Sequence, residues 1–223
     1  MVNMRNKLAT KAGLLRRKLM IKRLRLVQIP PNYAFFNKFE QNDVAVDIGV
    51  GDDPDFSKHL INNYGLDCFG VDPTRKHTEV LRKVEKDMAN FHFLPLAVGP
   101  NNGHAKFFES HDNISGSLLK NHTNIINDHV SSYEVDMITL DELIHTVNKK
   151  VIAIMKIDIE GAEYAVIDKL ESPTLKRVQQ LIVEFHHDTV REYTSKNTRE
   201  AIKRINALGM KSFVYNGRDC LFY

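Results

Sequence analysis

Cysteine is scarce in this 223-residue chain: Cys68 and Cys220 stand far apart, with no CxxC pair and no Cys/His cluster. That pattern argues against a structural zinc and for a reducing compartment, so a cytoplasmic location is expected. No uninterrupted apolar stretch reaches the roughly 20 residues that a membrane-spanning helix needs. Internal repeats and low-complexity segments are missing as well. Acidic residues are absent from the first 25 positions, which carry nine Lys and Arg, while the body that follows is net acidic. Charge interrupts every apolar stretch of that basic segment, so it does not read as a secretory signal. What remains is the composition of one ordinary domain, 43% hydrophobic and 26% charged, long enough to bury a proper core.

Residues 5–26 read as a basic helix, with Leu8, Ala12, Leu15, Leu19 and Leu26 near one face and cations around the rest. Pro30 and Pro31 cannot continue a helix and are expected to stop it. The chain therefore divides into a basic tail, 1–31, and a domain, 32–223. The plainest expectation for the tail is packing against the domain or partial disorder. Contact with an anionic membrane surface, or with nucleic acid, is the alternative that its charge allows.

After Asn42 short apolar runs alternate with helical patterns. "DVAVDIG", "DCFGVDP", "FHFLPLAVG", "VIAIMKIDIEG" and "VQQLIVEFHH" read as strands, the fourth apolar almost throughout and so buried on both faces. "PDFSKHLINNYG" reads as a helix capped at Asp53, with Pro54 in its first turn and Gly65 at its end. "TRKHTEVLRKVEKDM" and "AEYAVIDKL" are further helices, and residues 189–208 form a long one that stops at Gly209. "GHAKFFES" reads as a short strand, and "YEVDMITLDELIHTV" as a strand and then a helix capped at Thr139. Residues 109–132 are polar and weakly periodic, a long loop of the kind that carries function. "MKSFVYNGRDCLFY" closes the chain as a hairpin turning at Asn216-Gly217. This alternation predicts an α/β fold with a mostly parallel sheet, wrapped by helices and edged by an antiparallel hairpin.

The chemistry starts at "AVDIGVGDD", Ala45 to Asp53. Gly49 and Gly51 let the backbone turn tightly at the end of a strand and approach a ligand closely. Asp72 closes the next strand, placed to accept hydrogen bonds from both hydroxyls of a ribose. A dinucleotide wants a third glycine, and here Pro54 stands in its place. Asp47, Asp52, Asp53 and Asp55 also crowd the position of a pyrophosphate. Each like-charge pair at ~5 Å and an effective dielectric near 20 costs roughly 3 kcal/mol. S-adenosylmethionine has no phosphate and carries a sulfonium and an ammonium, so an acidic turn attracts it. A P-loop is excluded, because no G-K-[ST] follows the glycines.

The run of "VDIGVG", "GVDP", "LAVG", "SGSLL", "ITLDELI", "IMKIDIEGAEYAVI" and "LIVEFH" resembles the FkbM-type S-adenosylmethionine-dependent methyltransferases over roughly residues 43–187. "KIDIEGAE" is its most specific piece, and "DDPDF" after the turn departs from the family's pattern. The resemblance implies a Rossmann-like, seven-stranded methyltransferase fold. It also implies O-methylation of a hydroxyl on a sugar, glycan or other small molecule. By the same resemblance Asp47, Gly49 and Gly51 would line the cofactor's methionine end, Asp72 would hold the ribose, and Ala97 would lie near the adenine. Asp158 would sit beside cofactor and acceptor.

Methyl transfer to an alcohol needs the oxygen held in line with the donor and a group that takes its proton. His186 is the expected general base, with Glu160 and Glu184 orienting acceptor or base. Glu184 and His186 are two apart in an extended chain and so share a side, with His187 opposite. Glu163 reads either as part of this set or as a helix start. Asp158, Glu160, Glu184 and His186 could also ligate a divalent metal, though no fixed ligand spacing favours one. Some of these carboxylates should pair with Lys156. The loop at 109–132 offers Ser115, Ser117, Lys120 and His122 to close over cofactor or acceptor. Two other functions stay open on the sequence: an RNA methyltransferase anchored by its tail, and a binding module that keeps the fold without turnover. Against the first, no aromatics interleave with cations, so nucleic acid is an unfavoured partner.

Overall fold

In a computed structural model the described residues are 3–29, 33–147, 151–215 and 217–223, with side chains from residue 13 onward. The chain opens with α1 (Asn3–Leu24) and a small hairpin, β1 (Val27–Ile29) and β2 (Tyr33–Phe35). The alternating domain follows: β3 (Val44–Ile48), α2 (Asp55–Tyr64), β4 (Asp67–Val71), α3 (Arg75–Asp87) and β5 (Phe91–Leu94). Next come β6 (Ala97–Val98), β7 (Gly103–Ser110), β8 (Gly116–Ser117), α4 (Thr123–Ile126), β9 (Val130–Ile138) and α5 (Leu140–Thr146). The chain ends with β10 (Ile154–Ile157), α6 (Glu163–Lys169), α7 (Ser172–Leu175), β11 (Leu181–Glu184), α8 (Ser195–Ala207), β12 (Ser212–Val214) and β13 (Asp219–Phe222).

Seven strands form the central sheet in the order β12-β13-β11-β10-β3-β4-β5. The five strands from β11 to β5 run parallel, and β13 and β12 close the edge antiparallel. Strand residues alternate between two cores. Val44, Val46, Ile48, Met155, Ile157, Leu181 and Val183 pack with α5, α6 and α8 on one face. Ala45, Ile154, Ile182 and Leu221 pack with α2, α3 and the β1–β2 hairpin on the other. Burial on both faces is why these strands read as unbroken apolar runs. From β3 the order runs outward to β4 and β5, then jumps back to β10. The ends of β3 and β10 therefore flank the switch point, where sheets of this kind place their ligands.

Several expectations change in detail. "FHFLPLAVG" is two strands: Pro95 breaks it, β5 stays in the central sheet, and β6 joins a four-stranded sheet of order β6-β9-β7-β8. The long loop at 109–132 holds β8 and α4 and is tied down by them. The helix expected at 189–208 starts only at Ser195, because Thr194 and Asn197 form a capping box there. Asp53 does not cap α2; Pro54 holds that position, and Asp53 pairs with Lys58 at the surface. Gly65 does end α2, in the left-handed conformation, and Thr139 caps α5.

The basic helix ends before the prolines, at a left-handed Arg25, with the Leu26 N–H donating to the Ile21 carbonyl. Pro30, Pro31 and Asn216 lie outside the described residues. Of the expected apolar face, Leu26 is buried in the core, and Leu8 and Ala12 lie outside the residues whose side chains are described. Leu15 and Leu19 are exposed, whereas Met20, Ile21 and Leu24 join the core beside the hairpin. Among the described residues no helix is long and apolar enough to cross a membrane.

Gly49 has φ +79°, and a Cβ there would stand 1.6 Å from the Asp158 carbonyl oxygen. The two loops of the switch point therefore cross with no room for a side chain. Gly49→Ala should cost at least about 3 kcal/mol in urea unfolding. Gly51→Ala, at φ +74° but with open space around it, should cost only about 1–2 kcal/mol. Equal losses at the two positions would contradict the crossing.

Candidate active site

A cleft opens over the carboxyl ends of β3, β4 and β10. Its walls include Gly49, Gly51, Asp72, Ala97, Asp158 and Glu160, six of the residues singled out in the sequence. Asp72, 4% exposed, follows β4. Its Oδ2 accepts from the Gly51 N–H and its Oδ1 from the Thr74 N–H, each at 2.8 Å. One carboxylate thus ties the glycine turn to the start of α3 and still presents unused lone pairs to the cleft. His77 stands behind it, buried, with Nδ1 3.5 Å from Asp72 Oδ1 and with Nε2 making no hydrogen bond among the described residues. Nothing in the local pattern marks His77 beyond a helical position.

Asp47 is not in this cleft wall. It is 1% exposed and sits beside Lys156 in the register of β3 and β10, on the face toward α2. Its Oδ2 accepts from Ser57 Oγ at 2.9 Å and its Oδ1 from Lys156 Nζ at 3.2 Å. Lys156 Nζ also donates to the Gly49 carbonyl at 3.0 Å and lies 3.5 Å from Asp158 Oδ2. The expected pairing of Lys156 with the strand-end acids is therefore present. Burial alone would lower the Lys156 pKa, but Asp47 and Asp158 raise it well above the ordinary lysine value. The ammonium stays charged and holds the two loops of the switch point together. Asp52, Asp53 and Asp55 are exposed, so the turn's negative charge is spread into solvent rather than focused on the cleft.

At the other end of the cleft the acids converge. Asp158 and Glu160 follow β10, and Glu184 and His186 come from the end of β11. His186 is buried at 3% exposure, and its Nε2 lies 3.6 Å from Asp158 Oδ1, 3.6 Å from Glu160 Oε2 and 4.0 Å from Glu184 Oε1. Glu163 is both things the sequence offered. It is the first residue of α6, and its fully buried carboxylate accepts from the His186 N–H at 2.7 Å, from the Gly161 N–H at 2.9 Å and from His186 Nδ1 at 3.0 Å. His187 points away and bonds Thr198.

Burial would lower the His186 pKa, but the Glu163 hydrogen bond and charge, with Asp158 and Glu160, lift it to about 9. An imidazole in these surroundings carries its proton at neutral pH and balances the acids around it. Burial together with Asp158 raises Glu184, and His186 and Arg218 oppose that rise. Asp219, opposite Glu184 in the register, is pushed up to about 7 by burial and by the Glu184 and Asp158 charges.

The ordered segment over the cleft supplies the rest. Ser115 Oγ donates to Glu160 Oε1 at 3.3 Å, and Ser117 Oγ to the Glu160 carbonyl at 2.8 Å. His122, fully buried, accepts the Asn124 N–H at Nδ1, and its Nε2 lies 2.7 Å from Glu160 Oε2. Lys120 is exposed. Glu160 itself has φ +51°, a left-handed residue held in place by these three contacts.

The family described as the methyltransferase FkbM domain matches residues 15–210. The chain belongs to the FkbM methyltransferase family. No curated protein matches it. Among solved structures it is similar to a Methanococcus jannaschii fibrillarin pre-rRNA processing protein, at 7% identity over 88% of this chain and 68% of that one, TM-score 0.50. It is also similar to Aeropyrum pernix fibrillarin with natively bound S-adenosyl-L-methionine, at 9% identity over 96% and 73%, TM-score 0.48. A Pyrococcus furiosus methyltransferase gives 12% identity over 96% and 97%, TM-score 0.44. At such identities the likeness is one of fold.

The cleft of this FkbM-family protein fits the family's cofactor, S-adenosylmethionine. Asp72 offers carboxylate lone pairs of the kind that ribose hydroxyls bond, and Leu96, Ala97 and Val98 also line the cleft as an apolar wall. Among the described residues Lys156 is the one Lys or Arg in the wall, and Asp47, Asp158 and a backbone carbonyl already occupy it. A pyrophosphate would find no free cation there. Lys156→Met should lower stability by about 3–5 kcal/mol in urea unfolding, because Asp47 would keep its buried charge without its partner. A loss under about 1 kcal/mol would show that the ion pair does not carry the switch point.

Proposed function

We propose that this protein transfers the methyl group of S-adenosylmethionine to a hydroxyl of a sugar, glycan or other small molecule. The observation that carries the reading is the polarity of the cleft. Asp72 and an apolar wall stand at one end, and Asp158 and Glu160 stand at the other, with the buried His186 and Glu184 packed beside them. Bound S-adenosylmethionine supplies an electrophilic methyl on a sulfonium. The chain's residues bind and orient. Asp72 would take the ribose hydroxyls, and the Gly49–Gly51 turn lets the backbone approach the donor.

Asp158 and Glu160, in the cleft wall beside His186, would hold the acceptor hydroxyl and set the line of approach, and the ionised Glu160 carboxylate would take its proton as the methyl passes to the oxygen. Glu160 is kept ionised: burial would raise its pKa, but His122, His186 and Ser115 bring it below the usual carboxylate value. His186, charged, would balance these acids rather than take the proton. The segment bearing Ser115, Ser117 and His122 covers the acceptor end and excludes water.

S-adenosylmethionine should raise the Tm of the protein while NAD leaves it unchanged; the reverse result rejects the cofactor. Asp72→Ala should weaken S-adenosylmethionine binding at least tenfold by calorimetry, about 1.4 kcal/mol. Unchanged affinity would remove Asp72 from the ribose site.

A further inference from the structure

Three side chains with metal-binding atoms surround one gap at the acceptor end. Asp158 follows β10, Glu184 ends β11, and His186 lies two residues further on. One ligand atom from each lies within 4.8 Å of the other two. Ligands that share an ion at about 2.1 Å stand roughly 3–4 Å apart, so a modest contraction would close the set.

A second observation concerns the imidazole. The His186 side chain is 4% exposed, yet its Nε2 makes no hydrogen bond among the described residues; the carboxylate oxygens around it begin at 3.6 Å. Its Nδ1 is fixed by Glu163, whose other oxygen takes the Gly161 N–H. A carboxylate behind an imidazole is the arrangement that orients metal-ligating histidines. Charge points the same way. Asp158, Glu160, Glu163 and Glu184 gather here, with Lys156 beside Asp158 and Arg218 beside Glu184. An alcohol is also a far weaker acid than any carboxylic acid. Positioned carboxylates alone are poor acceptors for its proton, and coordination to a cation lowers that demand.

We infer that Asp158, Glu184 and His186 form a divalent-cation site, with Glu163 as the positioning residue behind His186. Two carboxylates and one imidazole suit a Mn²⁺-like ion, which displaces the His186 Nε2 proton to solvent, takes over its charge balance and leaves coordination positions open for an acceptor oxygen. The site stands on its own geometry; its use for the acceptor rests on the methyltransferase reading above.

The test uses the full chain, stripped with a chelator and titrated with Mn²⁺ while electron paramagnetic resonance follows the free ion. One saturable site is expected, with nitrogen hyperfine coupling from the imidazole on the bound ion. Asp158→Asn and Glu184→Gln should weaken uptake at least about a hundredfold, and Glu163→Gln about 10–100-fold. Asp53→Asn, at an exposed acid of the glycine turn, should leave it unchanged. No saturable uptake at millimolar Mn²⁺, no nitrogen coupling in the wild-type protein, or uptake that survives both ligand substitutions in folded protein would each overturn the site. The nitrogen coupling needs no variant, so a substitution that fails to fold still leaves the inference open to refutation. Calorimetry with S-adenosylmethionine runs in parallel. Mn²⁺ uptake without cofactor uptake defeats the methyltransferase reading and keeps the site, and the opposite pattern defeats the site alone.

Discussion

One buried ammonium holds the switch point of this sheet together. Lys156 reaches from β10 to Asp47 of β3, to the Gly49 carbonyl and to Asp158, and all of these lie where the two central strands end. Desolvating a cation is costly unless its partners surround it. The lysine therefore fixes where the glycine turn sits relative to the "KIDIEG" turn. Gly49 fits against Asp158 only because it lacks a side chain. With these two loops locked, Asp72 can brace the turn from one side, and Asp158 and Glu160 can project into the cleft from the other.

Glu163 does the corresponding work one strand further along. Its carboxylate joins the turn after β10 to the end of β11, and so sets His186 among the acids of both strands. The segment over the cleft then clamps Glu160 through Ser115, Ser117 and His122. That end of the cleft is thus built from three distant stretches of chain, joined by hydrogen bonds to Glu160 and Glu163. Such bonds keep groups in place where water is scarce.

Much of this could be read from the residues. The apolar runs, the helix end at Gly65 and the cap at Thr139 are local signals, and each reports a local cause. The glycine turn and Asp72 follow from strand-end position, because parallel sheets place function there. The misses have local causes too. Pro95 splits a strand, a capping box at Thr194 delays α8, and Leu15 and Leu19 face solvent where an apolar stripe suggested packing. Asp47 was expected in the cleft because spacing along a strand does not show which neighbour lies beside it. The register places Lys156 there.

The sequence by itself determined the layer architecture, the cofactor class and the identity of the strand-end acids. Hydrophobic period, glycine position and acid position are properties of neighbours along the chain. Only the tertiary structure decided which acids are satisfied by Lys156 and which face the cleft, that Glu163 and His186 share a proton-bearing contact, and that His122 reaches Glu160. Those outcomes depend on through-space distance and desolvation between segments far apart in sequence, and no local pattern encodes either.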